Sequence, residues 1–142
     1  MNKAATSARM LLGLIFTVFG LNGFLHFLPQ PPMPDGAVAF FGALFATGYM
    51  VPLIFATQVA GGLLLLFGFV PLGLVVLAPV IVNIVSFHVF LAPEGLGLAL
   101  VVASLELFLA YVHRGAYRAL FTTDSAAPES VPASRPLPAR AQ

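Results

Sequence analysis

The stretch "PLGLVVLAPVIVNIVSFHVFLAP", Pro71 to Pro93, decides the class of fold because it contains no Asp, Glu, Lys or Arg. It is as long as the roughly 20 apolar residues that a helix needs to cross a bilayer. The whole chain shares this character. Of its 142 residues 60% are hydrophobic and 8% are charged, whereas a soluble domain is about 25% charged. The sequence therefore predicts an integral membrane protein.

Four apolar spans can be read along the chain, and they predict an all-α membrane four-helix bundle. They cover about Met10–Leu28, Pro52–Phe69, Pro71–Leu91 and Leu96–His113. The apolar segment Gly36–Tyr49 lies too close to the second span to be a span of its own. We expect it to form a short extra helix between spans one and two, at the interface or dipping into the bundle. The alternative is one long, bent second helix.

The composition divides the chain into two parts. Residues 1–121 form the predicted four-span membrane domain. Residues 122–142 are rich in Ala, Pro and Ser, a composition that cannot bury a core, so they predict a disordered cytoplasmic tail.

The positions of the basic residues predict the orientation of the spans. The loops after spans one and three each carry one acidic residue and no Lys or Arg, whereas basic residues flank the first and last spans at Lys3, Arg9, Arg114 and Arg118. Positive charge favours the cytoplasmic side, so both termini are expected there, with the protein multi-pass in the cytoplasmic membrane. An even number of spans agrees with this arrangement.

Composition also limits the chemistry. The chain has no Cys, so it offers no disulfide, thiolate metal site or CxxC motif. Its net charge of +1 and the lack of a basic patch give no reason to expect nucleic acid. No metal site is predicted, and the lipid bilayer is the partner that the composition implies.

Polar side chains inside the apolar spans are the candidate ligand-binding residues, because each needs a partner in lipid. Glu106 is the most informative, since a carboxylate near the midplane costs on the order of 2.5–3.5 kcal/mol on insertion scales. It shares a helix face with Ala99, Ala103 and Ala110, a small-residue stripe of the kind that packs against other helices, so it should point into the bundle. It is either a proton-handling or ligand-binding carboxylate, or a structural one. The complete set is Asn22, His26, Gln58, Asn83, His88 and Glu106.

The topology places the other five in the outer half of the membrane. We expect His26 and His88, each near the end of a span, to cap one polar pocket above Glu106, with Asn22, Gln58 and Asn83 lining it. A quinone head group could use such donors, and haem ligation by the two histidines is the weaker alternative. The competing interpretation is that both rings lie at the interface and every polar residue is structural.

Four segments together resemble the DoxX-like family of small four-helix membrane proteins. They are "GLIFTVFGLNGFLHFLP", "ATGYMVPLIFATQVAGGLLLL", "FVPLGLVVLAPVIVNIVSFHVFL" and "LELFLAYVHRGAYRALF". The resemblance covers about Leu11 to Phe121. It implies four spans, both termini inside, and a link to membrane redox systems, including quinone-coupled sulfur oxidation. It carries over no catalytic residue.

Three functions follow from the sequence as hypotheses. The first is an accessory or quinone-interacting subunit of a membrane redox system, and other subunits of that system would be its partners. The second is a structural membrane subunit without chemistry, and the third is a small proton-coupled transporter that uses Glu106. The sequence does not decide whether the chain is an enzyme, and it leaves a homo-oligomer open.

Overall fold

The computed structural model describes residues 3–121, and this part of the chain is helical without any strand. The five α-helices are α1 (Lys3–Leu25), α2 (Asp35–Ala46), α3 (Met50–Leu66), α4 (Val70–Phe90) and α5 (Leu96–Val112). A 3-10 turn, Pro93–Gly95, precedes α5, and a 3-10 helix, Arg114–Phe121, follows it. The predicted all-α membrane bundle is confirmed. The predicted tail, 122–142, lies outside the described residues.

Four of the helices form a ring in which each lies antiparallel to its neighbours. Helix α1 packs against α3 and α5, and α4 packs against the same two helices from the opposite corner. The fully buried side chains at the centre come from all four helices: Leu12, Phe16, Leu65, Leu77 and Leu109. The remaining apolar side chains largely face outwards, as expected where the surroundings are lipid.

Three to four of the helices can cross a membrane. Helices α1 and α4 are each long and apolar enough to cross a membrane, and so is α5 when its preceding 3-10 turn is included. Helices α2 and α3 qualify only as a pair bent by 95°. Helix α3 runs along α1 from the Gly13–Leu66 contact to the Gly23–Phe55 contact, so it traverses the bundle beside α1. Helix α2 turns away from that direction. The short extra helix is therefore confirmed, and a 95° bend joins it to α3.

The bend between α2 and α3 has a local cause. Gly48 has a φ of +76°, a conformation that glycine adopts without strain and that ends a helix. The Thr47 hydroxyl donates to the carbonyl of Leu44 at 2.6 Å and accepts the N–H of Met50 at 3.1 Å. The Thr47 hydroxyl thus hydrogen-bonds to backbone groups at the end of α2 and at the beginning of α3.

Helix α1 differs from the predicted span at both ends. It already includes Lys3, the first described residue, because the Ala-rich segment before Met10 continues the helix beyond the apolar run. It ends at Leu25 because His26 has a φ of +52° and donates its N–H to the carbonyl of Asn22 at 2.8 Å, which is an αL cap. His26, which the predicted span Met10–Leu28 included, therefore lies just beyond the helix.

Arg9 stabilises the opposite end of the α1–α3 pair. Its Nη1 donates to the carbonyls of Leu65 and Leu66 at 3.2 and 3.5 Å, where α3 ends in a Schellman motif at Gly68. A cation at a helix C-terminus satisfies free carbonyls and opposes the helix dipole. Arg9, read from the sequence as an orientation signal, also has this packing role.

Candidate functional site

Glu106 faces the interior of the bundle from the middle of α5. Its residue is 7% exposed, and Ala99, one end of the predicted stripe, is 2% exposed. Ala103 and Ala110 are half-buried and pack against the core. The small residues let the neighbouring helices approach this face, so the predicted inward orientation of Glu106 is confirmed.

The carboxylate of Glu106 has an unsatisfied oxygen. Its Oε2 is buried and accepts no hydrogen bond. In the part of the chain that the structure describes, two other buried side-chain polar atoms, Arg9 Nε and Thr17 Oγ1, also have no hydrogen-bond partner. Buried polar atoms are nearly always paired in proteins. A carboxyl group without a partner in the apolar part of a membrane protein is a candidate ligand site.

A groove between α4 and α5 gives access to this carboxyl group. Its volume is about 320 Å³, at the small end of the range for ligand pockets, about 300–1,000 Å³. Val82, Ser86 and Leu107 are exposed, so the groove opens on the outer surface of the bundle. Glu106 and Ser86 are its polar residues, and the Ser86 hydroxyl already donates to the carbonyl of Val82 at 2.8 Å. The lining is Ala78, Ile81, Val82, Val85, Ser86, Ala103, Glu106 and Leu107.

Tyr117 lies near one end of this helix pair. Its hydroxyl donates to the carbonyl of Pro71 at 3.2 Å, which ties the 3-10 helix after α5 to the beginning of α4. Burial, and to a smaller extent the charge of Glu106, raise the pKa of Tyr117. Sequence reasoning missed Tyr117. The available signal was an aromatic side chain with a polar tip directly after the last span.

The side chain of His88 bonds to the backbone just after the end of its own helix, α4. Its Nδ1 lies 2.8 Å from the carbonyl of Ala92, and because a carbonyl only accepts, Nδ1 carries the hydrogen. The ring is half-buried, packs edge-on against Phe87 and covers Gly95. His88 therefore closes the turn between α4 and α5.

Asn22 and His26 separate at the end of α1. Asn22 is buried, and its Oδ1 accepts the N–H of Leu28 at 2.6 Å, so its carbonyl group stabilises the loop. His26 is exposed and lines a second cavity of about 280 Å³ near the bend between α2 and α3. The walls of that cavity include Phe24, Phe45 and Phe55.

Gln58 and Asn83 lie in different environments. Gln58 is 8% exposed and faces α1, where its Cβ lies 3.1 Å from the position that a Cβ at Gly20 would take. Asn83 is exposed on the surface of α4. Within residues 3–121 neither side-chain amide has a hydrogen-bond partner.

The six predicted residues do not together line either of these two cavities. His26 lines one cavity and Glu106 the other, and neither cavity is lined by a second member of the set. The physical reason is that α1 and α4 occupy opposite corners of the ring, while Asn22 and His88 bond to nearby backbone. Neither of these two cavities is the expected shared pocket, and a ligand-binding role for each residue stays a prediction. Residues 3–121 contain no cluster of His, Asp and Glu that could hold a metal ion.

No family model, curated protein or solved structure matches the chain.

Proposed function

We propose that the protein is a DoxX-like integral membrane protein that binds a lipid-soluble quinone as an accessory subunit of a membrane redox system. In this proposal it resides in the cytoplasmic membrane with both termini in the cytoplasm, as the distribution of Lys and Arg favours. The observation that carries the proposal is the unpaired, buried Oε2 of Glu106 in a groove open to lipid. The sequence resemblance supports the link to redox systems.

The groove has the chemistry that a quinone or quinol requires. A quinol hydroxyl donates a hydrogen bond to the carboxylate of Glu106, and a protonated Glu106 donates one to a quinone carbonyl. The isoprenoid tail lies along apolar side chains such as Val85 and Leu107, which line the groove. The chain binds and orients the ring, and a partner subunit exchanges the electrons.

Photolabelling with an azido-quinone tests this proposal on the purified protein in mild detergent. The expected label lies on α4 or α5 and is competed by unmodified quinone. Glu106→Gln should weaken binding about tenfold or more, because a hydrogen bond to a charged group contributes about 1.5–3 kcal/mol. The matched control is Glu94→Gln, which changes an exposed carboxylate outside the groove.

A second variant tests the shape of the site. Ala103→Leu adds a side chain to the wall of the groove without changing a polar group, so it should block labelling by filling the space. Labelling that is insensitive to both Glu106→Gln and Ala103→Leu, or that falls outside α4 and α5, would contradict the proposal.

A structural subunit without chemistry is the second candidate. It is favoured by the local bonding of Asn22, His88 and Arg9, whose side chains all bond backbone groups at helix ends. On this alternative Glu106→Leu should stabilise the protein, because it replaces an unpaired polar group by an apolar one, and no quinone should be bound.

A further inference from the structure

We propose that two copies of this chain pair in the membrane through the exposed face of α4 that contains Asn83, with the Asn83 side-chain amides of the two copies hydrogen-bonded to each other. The proposal concerns an interface beside the Glu106 groove and requires no ligand in that groove, although Ser86 belongs to both. It starts from Asn83, an exposed amide on α4 that has no hydrogen-bond partner among the described residues.

The depth of Asn83 makes this exposure costly. At 1.5 Å per residue it lies about 20 Å from the beginning of α4 and about 10 Å from its end, and α4 as a whole spans Val70–Phe90. An Asn side chain is too short to reach head groups from there. An unpaired amide in hydrocarbon is unfavourable, and interhelical hydrogen bonds are the usual solution.

The residues around Asn83 form a seam with the spacing of a coiled coil. The positions repeat at intervals of four and three residues, the heptad pattern of two helices that cross at a small left-handed angle. Five members are exposed, and Val76 is half-buried. A single Asn within an apolar seam fixes the register of such a pair. The seam consists of Leu72, Val76, Pro79, Asn83, Ser86 and Phe90.

A second copy is the occupant that satisfies this amide. A two-fold axis along the membrane normal places every residue at the same depth as its copy. Asn carries both a donor and an acceptor, so Asn83 and its symmetry mate are complementary without any further polar group. The neighbouring packing leaves the seam free: α2 meets α4 through the rings of Phe40 and Phe41 on Phe87, which is not a member of the seam.

Cysteine cross-linking tests the seam directly, since the chain has no Cys of its own. Ser86→Cys and Phe90→Cys should form covalent dimers in liposomes treated with a lipid-soluble oxidant. The matched controls are Leu98→Cys and Leu107→Cys, which are 57% and 70% exposed on α5 and should not cross-link. These variants keep Asn83, so the pattern is informative whatever happens to variants of that residue.

Substitution of Asn83 tests the hydrogen bond. Asn83→Leu should weaken dimerisation about 3- to 30-fold, measured by energy transfer between labelled copies at decreasing protein-to-lipid ratio. Val82→Leu, an exposed neighbour outside the seam, should leave the affinity unchanged. Because Asn83 is exposed and unbonded, the variant should keep the thermal midpoint of the monomer.

Three results would overturn the proposal. They are equal cross-linking at seam and control positions, an unchanged dimer affinity in Asn83→Leu, and cross-linking of the seam to a different protein. Quinone labelling of the Glu106 groove is scored separately, so failure of one proposal does not imply failure of the other.

Discussion

Replacing Gly62 by Ala tests the contact that joins α1 to α3. A Cβ at this position would lie 2.5 Å from Thr17 Oγ1, 2.7 Å from Thr17 N and 2.9 Å from the carbonyl oxygen of Gly13. Two of these three atoms belong to the backbone of α1, which cannot rotate away as a side chain could. The two helices must therefore move apart to admit one methyl group.

The size of the effect follows from two opposing contributions. Overpacking costs about 1–3 kcal/mol, and the upper half of that range applies because backbone atoms are involved. Ala exceeds Gly in helix propensity by about 1 kcal/mol. We expect Gly62→Ala to lower the free energy of unfolding by about 1–2 kcal/mol. At Gly97 a Cβ would meet nothing within 4 Å, so Gly97→Ala should be neutral or stabilising by up to about 1 kcal/mol.

Unfolding in mixed micelles of increasing SDS content measures this difference. Dyes on two engineered cysteines at the ends of α1 and α3 report the separation of the helices by energy transfer, and the absence of native Cys makes the labelling specific. Gly62→Ala should lower the midpoint and Gly97→Ala should not, so that the free energies of unfolding of the two variants differ by about 1–3 kcal/mol. If Gly62→Ala is as stable as Gly97→Ala, the close approach of α1 and α3 is not a source of stability.

The remaining predictions concern helix ends and the 3-10 helix. His26→Gly should stabilise the protein by about 1 kcal/mol in the same SDS titration, because glycine adopts a positive φ without strain. Asn22→Leu should destabilise it by about 1–3 kcal/mol, since the half-buried N–H of Leu28 loses its acceptor. Tyr117→Phe should cost about 0.5–1.5 kcal/mol through the lost bond to Pro71. Because the pKa of Tyr117 is raised in the folded state, its contribution should be present below about pH 10 and be lost as the pH rises through the folded-state pKa, which a difference titration at 295 nm against Tyr117→Phe measures.

The helices were predictable because their signals are repeated over many residues. An uncharged run such as Pro71 to Leu91 crosses a bilayer whatever its detailed order, and the structure has α4 at almost the same bounds. The orientation of Glu106 was predictable for the same reason, since a stripe of small residues averages over several turns. The bounds of α1 were not, because the αL conformation of His26 is a single local event that carries no repeated pattern.

The candidate site was harder to predict because a polar residue in a span has two different uses. Asn22, His88 and Arg9 bond backbone groups at helix ends, where four N–H or carbonyl groups lack a partner within the helix. Glu106 and Asn83 lie more than a turn from the ends of α5 and α4. The backbone groups around them are already bonded within the helix, so these side chains have no free backbone group to bond. Distance from a helix end therefore separates the two classes better than residue type does. It assigns the end residues to the fold and supports the two proposals that the carboxyl of Glu106 and the amide of Asn83 meet partners outside the chain.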